Sequence, residues 1–149
     1  MYPYYEPPGL DQWVIGYQYY GGVTNWVNPL APGPTGMGRS WSPVKLSTSQ
    51  PHWALAADVI MRTPGSPWGY FVPADRDLFQ GVPPHGRAGV KPAGSNHVYV
   101  DGSARWIKVE ELRYLHSFNS RPAWFYQDLK DLPAAFLSQV DATSMKVQP

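Results

Sequence analysis

The side chains in this chain that could do chemistry together are few: Asp58, His85, Asn96, His97 and Asp101. A histidine with two carboxylates can ligate a metal or pass a proton as acid and base, and Asp58, His85 and Asp101 would be the centre of a small metal-dependent hydrolase. Their spacing repeats no local motif such as His-Glu-x-x-His. A structural role is the more concrete alternative. Asp101 supplies turn geometry, Asn96 and His85 satisfy backbone groups of a loop, and Asp58 accepts hydrogen bonds from that same loop. The chain has no Gly-x-Ser-x-Gly elbow, no Walker-type phosphate loop and no Rossmann fingerprint. Asp75 and Asp77 with Glu6, Glu110 or Glu111 would be the material for a glycosidase pair, but carboxylates in an acid-poor chain are expected to be solvated. The expectation is a protein that is not an enzyme and needs no cofactor or metal.

These residues must be positioned by the stretch from Gly94 to Ile107. Asp101-Gly102 is the dipeptide favoured by a two-residue type I′ turn, where both central residues need positive φ. That turn sets Val100 opposite Ser103, Tyr99 opposite Ala104, Val98 opposite Arg105 and His97 opposite Trp106. His97, Tyr99, Ala104 and Trp106 then share one largely aromatic face. Asp58 falls in Trp53–Met61, the most continuously apolar run, which reads as a buried central strand. An ionised carboxylate there is costly unless paired or hydrogen-bonded.

Around this centre the pattern predicts a strand over Leu10–Tyr20, ending at Gly21-Gly22, a long loop over 23–42, and a short edge segment at Ser42–Leu46. It further predicts a helix over Lys108–His116, an extended aromatic segment at Arg121–Tyr126 and a helix over Leu132–Val140 with Pro133 at its first position. Residues 1–9 read as an extended arm, 10–140 as a single domain and 141–149 as a flexible tail. Seventeen Pro and fourteen Gly demand many turns and little helix. The fold class expected is α+β, mainly β: a small antiparallel sheet with long Pro/Gly-rich aromatic loops and one or two short helices.

Charged residues make up 15% and the net charge is +1, so there is no basic stripe to neutralise phosphates and nucleic acid is not an expected partner. Aromatic residues also make up 15%, enough to pin a loop-rich core. If Trp26, Trp41 or Trp68 were exposed, they could instead stack on sugar rings, as in a carbohydrate-binding module for a surface glycan. There is no cysteine, hence no disulfide or thiolate metal site. No apolar run is long enough for a membrane span, and the first residues lack the basic and apolar regions of a signal peptide.

The order His85-Gly86, then Asn96-His-Val-Tyr-Val-Asp101-Gly102-Ser-Ala-Arg-Trp106, resembles the bacterial prepilin-type processing-associated domain, a family named for a His followed by Asp-Gly. Fifteen residues stand between His85 and Asp101, a longer loop than the family's nine, and loop closure tolerates such extensions. Ala54–Asp58 is similar to the family's buried strand ending in Asp, Gly16–Tyr19 to its upstream aromatic strand, and Lys108–Tyr114 with Trp124–Tyr126 to its ending. The resemblance implies the head of a type IV pilin or type II secretion pseudopilin, with Asp58, His85, Gly86, Asn96, Asp101 and Gly102 as its structural motif. It also implies an extracellular or cell-surface location, and self-association or other pilin-like subunits as partners. Relatives of that kind begin with a basic leader and a long apolar helix. Without them in this sequence, the expectation is an anchor removed upstream or a head that assembles another way, through a Tyr-rich arm added to a neighbour.

Overall fold

The computed structural model describes residues 4–6, 12–14, 16–28, 38–60, 62, 67–68, 82–118, 121–125, 134, 136 and 138. In chain order the strands are β1 (Tyr4–Glu6), β2 (Gln12–Val14), β3 (Tyr17–Tyr19), β4 (Asn25–Trp26), β5 (Gly38–Arg39), β6 (Ala54–Asp58), β7 (Gly94–Tyr99), β8 (Ala104–Lys108), β9 (Arg113–Phe118) and β10 (Arg121–Phe125). The largest unit is a four-stranded antiparallel sheet in the order β3-β6-β7-β8. Three two-stranded ladders, β1-β2, β4-β5 and β9-β10, accompany it. Among the described residues, helix is confined to 3-10 turns at Leu46–Thr48 and Val109–Glu111 and to the helical residues Ala134, Phe136 and Ser138. The protein is mainly β, and no helix among the described residues is long and apolar enough to cross a membrane.

The apolar run around Ala54–Asp58 is a central strand, as its composition predicts. It pairs with β3 (Tyr17 opposite Asp58, Tyr19 opposite Ala56) and with β7 (Ala57 opposite His97). Residues directly opposite one another share a face. Gln18, Ala57, His97, Ser95, Tyr99 and Ile107 therefore turn inward and are buried. Below them lies a core of Ile60, Trp68, Ile107, Val109, Leu112 and Tyr114. Tyr17, Tyr19, Val98 and Trp106 occupy the opposite, exposed face. A second aromatic cluster joins the Pro/Gly-rich part of the chain. Trp26 lies 5.3 Å from Phe136, and Trp41 meets Trp53 and Phe136 edge-on at 6.1 and 6.2 Å.

The hairpin forms where expected but with a different turn and register. Gly102 N donates to Tyr99 O at 3.0 Å, and Tyr99 N to Ser103 O at 2.9 Å. Val100, Asp101 and Gly102 thus make a three-residue loop. Gly102 has φ +81°, whereas Asp101 is not left-handed, so the type I′ turn is ruled out. A loop of this length, closed by a left-handed glycine, is the next commonest way to join two strands. The extra residue moves β8 by one position, giving Val98–Ala104, His97–Arg105 and Asn96–Trp106 as pairs. Trp106 consequently leaves the face expected for it and joins Asn96 outside.

Four other expectations are corrected. Lys108–His116 is not a helix: the 3-10 turn Val109–Glu111 closes through Leu112 N to Val109 O, and the chain then extends into β9. So short an amphipathic segment gains little from helix formation, and β9 instead completes its hydrogen bonds on β10. Leu10–Tyr20 is not one strand. β2 pairs with β1, inside the segment read as an arm, while β3 joins the main sheet beyond Gly16. The long loop contains a short ladder, Asn25 opposite Arg39 and Trp26 opposite Gly38, and the edge segment expected at Ser42–Leu46 is not a strand. The tail 141–149, Asp75, Asp77 and the ends of the Leu132–Val140 helix lie outside the described residues.

Candidate functional site

The site grows from the end of β6. Its ladder with β7 runs to Ala57 opposite His97, and there the Asp58 side chain takes over. Asp58 Oδ2 accepts from the Asn96 backbone N–H at 2.6 Å and from Asn96 Nδ2 at 2.9 Å. It also accepts from His85 at 2.7 Å, with Nε2 carrying the proton. Ser95 Oγ donates to the Asp58 carbonyl at 3.3 Å. The buried carboxylate thus has the charge-assisted donors its position demands. The expectation that Asp58 accepts hydrogen bonds from the loop entering the hairpin holds.

His85 reaches this position through an uncommon backbone state. Its φ is +52°, its carbonyl accepts from Ala93 N at 3.1 Å, and its ring stands edge-on to Trp106 at 4.9 Å and 88°. Gly86 follows because there is no room for a side chain: a Cβ would stand 2.7 Å from Pro83 Cγ. The His-Gly pair therefore shapes the loop that presents the imidazole to Asp58.

Asp101 does not join this cluster. It sits five residues beyond Asn96, about 15 Å along an extended strand, at the exposed hairpin tip. Its carboxylate accepts from Ser103 N at 2.9 Å, and hydrogen bonding from Ser103 holds its pKa below the usual value. Among the described residues no group of three or more His, Cys, Asp or Glu could hold a metal. Asp58, His85 and Asn96 come together; Asp101 and Gly102 serve the turn of the same sheet.

The tryptophans proposed for sugar stacking are placed elsewhere. Trp26 and Trp68 are 1% and 3% exposed, Trp41 is half-buried, and the Trp26 indole N–H donates to Ser42 Oγ at 3.2 Å. Trp26 and Trp68 are core residues, as their anchoring of Pro/Gly-rich segments requires, and Trp41 packs against Trp53 and Phe136. Among the described residues the exposed aromatics are Tyr17 and Tyr19, both 65%, and Trp106, 46%. Sequence reasoning missed Trp106 as the neighbour of His85 and Ser95 as a donor to β6. The Asn96–Trp106 pairing carries that signal once the hairpin loop is counted as three residues. His97, set with Tyr99 on the hairpin face suited to packing, is fully buried. Burial lowers the His97 pKa to about 4, against the opposing pull of the Ser95 carbonyl and Asp58.

Comparison with known protein families, with curated proteins and with solved structures finds no match to this chain.

Proposed function

We propose that this chain is a non-catalytic head domain of the pilin or pseudopilin kind, acting at the cell surface or in a filament through contacts with copies of itself or similar subunits. The observation that carries the reading is the union, on one antiparallel sheet, of Asp58, the His85-Gly86 loop, Asn96 and the Asp101-Gly102 turn. In this arrangement Asp58, His85 and Asn96, three of the polar groups that could have done chemistry, bond to one another. Three donors converge on a single oxygen of Asp58, which favours a clip that fixes a loop over a base awaiting substrate. The exposed Tyr17, Tyr19, Val98 and Trp106 give such a head an apolar face for packing on a neighbour.

Immunogold electron microscopy of intact cells of the native source, with antibody against the folded chain, tests the proposal. Label on the outer surface or on shed filaments, removable by external protease, is the expected result. Label confined to the cell interior rules it out.

A further inference from the structure

A second site lies away from Asp58, where the β4-β5 ladder meets the 3-10 turn at Leu46–Thr48. A cavity of about 310 Å³ opens there, lined in part by Thr24, Arg39, Ser40, Ser42, Lys45 and Trp53. The volume is at the lower end of small-molecule sites. Its chemistry has one sign. Arg39 and Lys45 both line it, and among the described residues neither forms an ion pair and no carboxylate lines the cavity.

The hydroxyls add to that sign. Ser42 is buried, 2% exposed. Its Oγ already accepts from the Trp26 indole, and its own hydrogen has no acceptor among the described residues. Thr24 Oγ1 likewise accepts, from Asn25 Nδ2 at 3.5 Å. Ser40, by contrast, is occupied: its hydroxyl donates to the Val23 carbonyl and accepts from Ser42 N. Two cations and two hydroxyl donors therefore face a space walled on one side by the buried Trp53. Donors without acceptors beside unneutralised positive charge call for an oxyanion, and an arginine fork suits a tetrahedral one. An indole wall suits the apolar face of a sugar ring.

The geometry points to a binding site for a phosphate or sulfate monoester of a sugar, held by Arg39 and Lys45 with Ser42 as the buried donor. Its lining shares no residue with the apolar face of Tyr17, Tyr19, Val98 and Trp106.

Titrating the full chain with glucose 6-phosphate, glucose 6-sulfate and glucose, followed by two-dimensional amide and indole NMR, tests it. Saturable shifts centred on residues 39–48 and the Trp53 indole are expected with at least one ester, and which ester binds distinguishes the two sources of oxyanion. Both cations are exposed, so the Arg39→Gln/Lys45→Gln variant keeps the fold, which unchanged indole resonances elsewhere would verify. That variant should bind about tenfold or more weakly. No saturable shift with either ester up to about 10 mM, equal binding of plain glucose, or an affinity unchanged in the variant would each overturn the assignment.

Discussion

Asp58 has most of its hydrogen bonding concentrated on one oxygen, so its substitutions should rank by what they leave on that side. Asp58→Ala strands the Asn96 amide and removes the His85 partner, and is expected to cost about 2–4 kcal/mol. Asp58→Asn keeps one acceptor and should cost less; urea unfolding of both variants gives the order, and equal costs would show that a neutral acceptor retains nothing and that the charge carries the whole contribution. His85 offers a sharper test because of its left-handed backbone. Glycine normally destabilises a chain more than alanine, but here His85→Gly should be more stable than His85→Ala by about 0.5–1 kcal/mol, since only glycine holds that φ without strain. The carboxylate's predicament was readable in the sequence, because an acid among Ala, Val and Ile must find donors. His85 and Asn96 were expected to satisfy backbone groups of the loop, whereas both side chains turn to the Asp58 carboxylate. The indole packed against the imidazole was hidden, since it depends on a register that the residue types alone leave open.

At the level of elements, the hairpin shows what a dipeptide can and cannot specify. Asp101-Gly102 announces a bend, but two-residue and three-residue loops both accept it, and the choice decides which face every residue of β8 occupies. Steric contact across the hairpin then reinforces the choice. A Cβ on Gly94 would stand 2.3 Å from the Ile107 carbonyl oxygen and 2.7 Å from the Trp106 ring, so the indole lies over a glycine as well as beside His85. Gly94→Ala should therefore destabilise strongly, by about 2–4 kcal/mol, whereas Gly102→Ala meets no atom within 4 Å and should cost only about 1 kcal/mol of backbone strain. Comparable losses in denaturant midpoints would show that the indole does not hold the register. The central strand at Ala54–Asp58 was plain from its unbroken apolar run. The segment after β8 misled, because Val109, Leu112 and Leu115 fit a helical stripe as well as a turn followed by a strand.

For the whole molecule, the buried His97 makes stability depend on pH. Above pH about 6.5 the ring is neutral in folded and unfolded chains alike, and its contribution is fully present. As pH falls from there towards the native value of about 4, the unfolded chain takes up a proton that the folded chain refuses. Stability is lost through that window, by up to about 3 kcal/mol, and no further below it. His116, whose pKa burial also lowers and whose Nδ1 accepts from Val27 N, acts in the same direction. Denaturation midpoints at about pH 7 and about pH 4.5 should converge in His97→Gln relative to the unaltered chain; an identical pH slope would remove His97 as the cause. The mainly β class followed from Pro, Gly and aromatic content. The division into a main sheet and three small ladders did not, because it is set by contacts between residues far apart in the chain.

The position of β6 also has a consequence in time. Its partners are Tyr17–Tyr19 on one side and, on the other, His97 opposite Ala57, forty residues later; within the main sheet, only the β7–β8 hairpin is local. On a ribosome, the most water-averse stretch of the polypeptide emerges well before the neighbour that seals its second edge. Until β7 is synthesised, that edge can pair with any other extended strand, so slowing translation across residues 60–93 would lengthen the interval in which the nascent chain aggregates or needs a chaperone.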